Sequence, residues 1–112
     1  MVHESLKAAE VLAKEGIEAE VIDPRTLYPL DKNTIFKSVE KTNRVLIATE
    51  ETKRGSYAGE ISAMIAEEYF DYLDAPVVRV ASLNTPIPFS PVLESYVIPD
   101  YEDILKGARE IL

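Results

Sequence analysis

The sequence predicts an α/β fold, a three-layer α/β/α sandwich around a mainly parallel sheet. Three observations carry that expectation. Short apolar runs alternate with longer segments whose apolar residues recur at helical spacing, the order expected of parallel strands covered by helices on both faces. The clearest run, Arg44-Val45-Leu46-Ile47-Ala48-Thr49, is apolar on both faces, as a strand between two helix layers must be. The chain has 112 residues, enough for one domain spanning 1–112 with its own core and too few for two.

Residues 2–15 read as a helix. Val2, Leu6, Ala9, Val11, Leu12 and Ala13 fall on a stripe of 3.6 period, with Glu4, Lys7, Glu10 and Lys14 largely opposite. Gly16 suits the position just past its end. Ala19-Glu20-Val21-Ile22-Asp23 reads as a short strand that Pro24 ends, because proline cannot donate to a sheet ladder. A loop follows between Pro24 and Pro29. Asp31 is placed to cap a helix running to about Thr42, with Ile35, Phe36 and Val39 facing inward and Lys37 and Lys41 near its C-terminal end.

The strand at 44–49 comes next, followed by a polar loop over 50–55. Residues 57–73 read as a helix with an apolar stripe of Ile61, Met64, Ile65 and Tyr69. Glu60, Glu67 and Asp71 would share its polar face. Asp74-Ala75-Pro76 breaks that helix, and 77–81 reads as the third strand. Residues 83–99 contain Pro86, Pro88, Pro91 and Pro99 and are expected to be a long loop without one regular element, functional or packed on a neighbour. Asp100 caps a last helix reaching Leu112, with Ile104, Leu105 and Ile111 inward. Right-handed crossovers are the expected connections.

The formal net charge of −8 argues against nucleic acid or an anionic membrane as partner. The charge is unevenly spread. Residues 1–56 hold nine Lys/Arg against ten Asp/Glu, whereas residues 57–112 hold three against ten. Such an excess is either a solvated acidic surface or a docking face for a basic partner. The absence of cysteine excludes thiol catalysis and disulfides, and fits a cytoplasmic protein. No apolar run approaches the ~20 residues of a membrane span, and Glu4, Lys7 and Glu10 interrupt any signal-peptide pattern.

No glycine-rich nucleotide fingerprint is present. His3, the one histidine, sits in the first turn of an amphipathic helix without an evident catalytic partner. Glu50 and Glu51 stand at the C-terminal end of a strand, where α/β proteins often hold ligand groups. Neighbours on a strand point to opposite faces, however, so the pair is not a dyad by default. Tyr96 and Tyr101 read as packing residues. Composition and pattern alone thus give an α/β domain with no catalytic, cofactor or metal site of its own.

Several phrases go further. Val21-Ile22-Asp23-Pro24-Arg25-Thr26-Leu27-Tyr28-Pro29-Leu30-Asp31 resembles a marker of the transketolase carboxy-terminal domain superfamily. Glu50-Glu51 with Gly55-Ser56-Tyr57-Ala58-Gly59-Glu60-Ile61, then Phe70-Asp71-Tyr72-Leu73-Asp74-Ala75-Pro76-Val77-Val78-Arg79-Val80, narrow the resemblance. So do Thr85-Pro86-Ile87-Pro88-Phe89, Leu93-Glu94 and Ile98-Pro99-Asp100. Together they resemble the beta subunits of thiamine-diphosphate-dependent 2-oxo acid dehydrogenases over essentially the whole chain. Ser56 and Gly59 depart from the family, which usually has Gly and Ala there. The matching domain of a transketolase or deoxyxylulose-phosphate synthase, and a stand-alone acidic binding module, are the alternatives.

The resemblance implies a parent enzyme that decarboxylates a 2-oxo acid, such as pyruvate or a branched-chain 2-oxo acid, and passes the acyl group to lipoamide. Thiamine diphosphate and Mg would be bound between the alpha subunit and a part of the beta subunit that this chain lacks. This domain would build the interface to a second beta subunit. It would also offer an acidic face to the basic subunit-binding domain of the lipoyl acyltransferase, with Glu67, Asp71, Asp74 and the Leu112 carboxylate as docking groups. The family also places two strands ahead of the helix that begins at Val2, the second lying between the strands corresponding to 19–23 and 44–49. The domain is therefore expected to be partial, truncated at its N-terminal end. Strands 19–23 and 44–49 are expected either to pair directly or to have a neighbour cover the gap.

Overall fold

Val2–Lys14 forms helix α1 in the computed structural model, which describes residues 1–112. Ala8 and Leu12 on its inner face are buried. Gly16 adopts φ +80, a left-handed conformation that glycine enters without Cβ strain, and the chain turns there. Helix α2, Lys32–Thr42, starts where Asp31 accepts the Thr34 amide at 3.1 Å and the Thr34 hydroxyl at 2.6 Å. The inward residues Ile35, Phe36 and Val39 are buried as the spacing predicts. Asn43 ends α2 at φ +60. Its side-chain amide donates to the Tyr72 carbonyl at 2.8 Å and its own carbonyl accepts from the Asp74 amide at 2.8 Å. These bonds fasten the end of α2 to the turn that leaves the next helix.

Strand β1 is Leu46–Thr52 and strand β2 is Val78–Ser82. They pair in parallel, with Leu46 opposite Val78 and Ala48 opposite Val80, and the register becomes irregular between Ala48 and Thr52. Between them lie α3, Tyr57–Tyr69, and a single 3-10 turn, Phe70–Tyr72. After β2 come α4, Pro91–Val97, and α5, Tyr101–Arg109. Asp100 caps α5 by accepting the amides of Glu102 and Asp103, and Asp103 returns the bond by accepting the Asp100 amide.

The sheet is covered on both faces. On one, Val45 and Ile47 pack with α2 and α3 against Ile35, Phe36, Val39, Ile61, Met64 and Ile65. The rings of Phe36 and Tyr69 stack there at 4.0 Å. Burial, and then Glu40 nearby, push the Tyr69 phenol above its ordinary pKa. On the other face, Leu46, Ala48 and Val80 pack against Ala8, Leu12, Ile104 and Leu105 of α1 and α5. Those two helices are joined at both ends. Glu4 accepts the Tyr101 amide at 3.0 Å and Arg109 pairs with Glu15 at 2.8 Å.

Five sequence expectations need correction. Residues 19–23 form no strand, and they do not pair with 44–49. Their alternating apolar pattern is strand-like, but a strand exists only against a hydrogen-bonding partner. The clear strand begins at Leu46 and reaches Thr52, so Glu50 and Glu51 belong to it rather than to a loop. The helix expected over 57–73 tightens into the 3-10 turn at Phe70, which takes Asp71 out of register with Glu60 and Glu67. The proline-rich stretch contains a helix after all, because Pro91 sits in the first turn, where its missing N–H is no loss. The last helix also stops at Arg109, short of Leu112, although Ile111 is buried as expected.

Candidate functional site

Two surfaces stand out on this scaffold, one apolar and one acidic. The apolar one arises where β2 hands the chain to α4. Phe89, Val92, Leu93 and Tyr96 follow the i, i+3, i+4, i+7 spacing of an amphipathic helix face. In a self-contained domain that stripe would face the core. Here Val97 and Pro99 face inward, and the stripe faces solvent: Phe89 is fully exposed, Val92 78% and Tyr96 77%. Leu83 and Ile87 in the preceding loop are about half exposed and extend the patch. The sequence reading expected 83–99 to be functional or packed on a neighbour, but it named no apolar stripe there and assigned Tyr96 to packing. The signal was available in the four-residue spacing and in Ser90-Pro91 as a helix start.

The acidic surface follows α3 and its 3-10 turn. Glu67, Asp71 and Asp74 are all exposed. Asp74 lies 3.8 Å from Arg44 and Glu68 3.9 Å from Lys32, whereas Glu60, Glu67 and Asp71 have no ion pair. Glu60, Glu67 and Glu68 rim a cleft of about 480 Å3 whose apolar wall is Leu30, Ile61 and Met64. The loop opposite α3 is fixed by the Tyr57 hydroxyl, which donates to the Leu27 carbonyl at 3.2 Å. Leu112, the fourth expected docking residue, is 55% exposed and follows α5, which belongs to the other helix layer. Glu67 thus lies on α3, Asp71 in the 3-10 turn and Asp74 just beyond it, and no hydrogen bond or ion pair links Leu112 to them.

The strand ends hold structural rather than reactive groups. Ser82, the buried polar residue, donates from its hydroxyl to the Glu50 carbonyl at 2.7 Å. Glu51 accepts the Tyr57 amide at 3.1 Å and caps α3, while Ser56 at the usual capping position makes no such bond and its buried Oγ has no partner. Arg79 donates to the Lys53 carbonyl at 2.9 Å, and the Arg54 amide donates to the Asn84 side chain at 2.9 Å. His3 is exposed in the first turn of α1. No three His, Asp or Glu side chains come together as a metal-holding group. No helix is long and apolar enough to cross a membrane.

Comparison with known proteins places this scaffold. Residues 1–104 match the family model described as transketolase, C-terminal domain. The chain is 49% identical over 111 residues to the acetoin:2,6-dichlorophenolindophenol oxidoreductase subunit beta of Bacillus subtilis (strain 168), an overlap of 99% of this chain and 32% of that one. It is 48% identical over 112 residues to the pyruvate dehydrogenase E1 component subunit beta of the same organism, covering 100% and 34%. With its 2-oxoisovalerate dehydrogenase subunit beta it shares 43% over 111 residues, covering 98% and 34%. The chain therefore spans about a third of the length of the curated relatives it matches.

Proposed function

The chain belongs to the transketolase C-terminal domain family, and from that premise we propose that it is an assembly domain of the beta subunit of a 2-oxo acid dehydrogenase. The observation that carries this reading is the outward-facing stripe of Phe89, Val92, Leu93 and Tyr96. A stripe of that kind marks a contact surface, because large apolar side chains gain roughly 1.5–3 kcal/mol each when fully buried. Its occupant in the parent enzyme is another subunit, a second beta subunit or the alpha subunit.

The parent enzyme, on this reading, decarboxylates a 2-oxo acid on thiamine diphosphate and passes the acyl group to lipoamide. This chain supplies no group to that chemistry. Its residues position subunits and hold them.

The acidic surface has a different partner. Glu67, Asp71 and Asp74 form the docking face for the basic subunit-binding domain of the lipoyl acyltransferase, and the Leu112 carboxylate, in the other helix layer, would be a separate contact. Exposed carboxylates suit that task, Glu67 and Asp71 being in no ion pair and Asp74 facing Arg44 at 3.8 Å, since such groups steer association and set specificity. Isothermal titration of the chain with that purified basic domain tests the assignment. Binding that weakens steeply with salt and is lost in Glu67→Lys/Asp71→Lys is expected. Undiminished binding by that double variant, or turnover of a 2-oxo acid by the chain alone with thiamine diphosphate and Mg, would overturn it.

A further inference from the structure

Tyr57, Glu60, Ile61, Met64 and Glu67 recur at helical spacing along one face of α3, and all five line the cleft of about 480 Å3 beside it. Ile61 and Met64 are buried and belong to the core cluster beneath, so the floor is apolar and fixed. Glu60 and Glu67 stand on the rim two helical turns apart, about 10 Å along the axis. Both are exposed and neither has an ion pair, whereas Glu68 faces Lys32 at 3.9 Å.

The opposite wall is the loop over 27–30, and specific bonds hold it. The Tyr57 hydroxyl donates to the Leu27 carbonyl at 3.2 Å, and the Thr26 hydroxyl donates to the Pro29 carbonyl at 2.9 Å. Just before this wall Arg25 sits at φ +62, a left-handed conformation that is strained for a residue with a Cβ. Asp23 secures that turn by accepting the Arg25 amide at 3.2 Å and its Nε at 3.1 Å. Strain that specific bonds maintain beside a cleft points to a surface shaped for a ligand. The same wall carries Tyr28 at the edge of the cleft, 97% exposed, where its ring covers nothing in the domain itself.

We propose that this cleft docks a basic segment of another protein in the polyproline II conformation, with arginine or lysine at two positions three residues apart and an apolar side chain between them. The two free carboxylates fix the sign of the charge. In that conformation every third side chain lies on one edge, about 9 Å from the last at ~3.1 Å per residue. This matches the separation of Glu60 and Glu67 along α3. The apolar side chain between the two cations lies on a neighbouring edge and meets the floor at Ile61 and Met64. Tyr28 and Tyr57 supply aromatic walls, and such segments dock aromatic-lined grooves because their backbone is already ordered. A helix bearing the same cations, about 10–12 Å thick, would rest on the rims without reaching the floor. A second copy of this chain does not supply the segment. At that spacing it has Lys41 with Arg44 and Lys106 with Arg109, which enclose Thr42-Asn43 and Gly107-Ala108 and no large apolar residue. Asp71 and Asp74 do not line the cleft, so this docking does not rest on the partner assigned to them.

The test is an NMR titration of the intact chain with the acetylated, amidated peptide Pro-Arg-Pro-Leu-Arg-Pro. Amide shifts should gather at Glu60, Ala63 and Glu67. The isomer Pro-Pro-Arg-Arg-Leu-Pro, with the same charge and the arginines adjacent, should bind more weakly. Ala63 is exposed and lines the cleft, so Ala63→Trp fills the cleft at unchanged charge. Glu60→Gln/Glu67→Gln removes the rim charge at unchanged shape. Each should weaken binding roughly tenfold, as loss of an anchoring contact does, while Glu10→Gln on α1 should leave it unchanged. Any of four results would overturn the assignment: no shifts at millimolar peptide, equal binding by the isomer, shifts centred on Asp71 and Asp74, or undiminished binding by the double glutamine variant. A melt of Ala63→Trp that matches the original chain, together with undiminished binding, would overturn it as well.

Discussion

Gly107 on α5 lies so close to Val80 on β2 that a Cβ at that glycine would stand 2.7 Å from Val80 Cγ2 and 3.0 Å from Leu46 Cδ1. The absence of a side chain lets α5 sit directly on the sheet. Gly107→Ala should gain up to about 1 kcal/mol of helix propensity and lose about 1–3 kcal/mol to overpacking. A Val Cγ2 on a strand cannot swing aside, so the expected net effect is destabilising, and Gly107→Leu should be worse. Chemical denaturation of both variants checks the order, which an increase in stability for Gly107→Ala would reverse.

The cap of α3 makes an opposite pair of predictions. Glu51 caps the helix from six residues away, while Ser56 buries a hydroxyl with no partner. Removing a capping serine ordinarily costs about 1 kcal/mol. Here Ser56→Ala should be neutral or stabilising, because it removes an unsatisfied group, and Glu51→Ala should lower the melting temperature. Thermal melts of the two variants distinguish this arrangement from one in which Ser56 is the cap.

Acid should weaken the chain through two carboxylates. Hydrogen bonds from the Thr34 hydroxyl and amide hold Asp31 below its ordinary pKa of 3.8. The Ser38 hydroxyl, and then Lys41, hold Glu20 below 4.5. A carboxyl whose folded pKa is depressed stabilises the fold fully above its unfolded value and loses that contribution as pH falls through the folded value. The melting temperature should therefore drop below about pH 4, and less steeply in Asp31→Asn and in Ser38→Ala. A melting profile from pH 7 to pH 2.5 reads the slope directly, and an unchanged slope in both variants contradicts the assignment.

The exposed stripe should be dispensable for folding. Phe89→Ser/Tyr96→Ser removes two side chains that the domain itself does not bury. The melt of the isolated chain should shift little, since surface substitutions away from packing sites usually fall within about 0.5 kcal/mol. In a beta subunit carrying this domain, the same pair should shift sedimentation toward free subunits.

Much of this was legible in the sequence, for identifiable reasons. Asp31 and Asp100 are found as caps because a cap is a local device, written in a few neighbouring residues. Ile35, Phe36, Val39, Ile104 and Leu105 are found as core because helix periodicity records burial directly. Residues 19–23 misled because strand pattern is local while strand formation is not; their backbone finds no ladder partner. The α4 stripe was hidden by the prolines around it, and its outward orientation depends on how Val97 and Pro99 seat the segment, a tertiary fact. Of the four residues proposed for docking, Glu67 lies on α3 and Asp71 in the 3-10 turn, Asp74 follows that turn, and the position of Leu112 follows from where α5 ends rather than from any spacing.

Site-specific photocrosslinking from the apolar stripe tests the assembly role most directly. A benzophenone amino acid replaces Phe89 or Tyr96 in a chimera in which this chain stands for the equivalent third of a related beta subunit, co-expressed with its alpha subunit. Irradiation should join the probe to another subunit at both positions, while a probe at the exposed Lys14 of α1 gives no adduct. Adducts absent from positions 89 and 96 in an assembled, active complex would contradict the account.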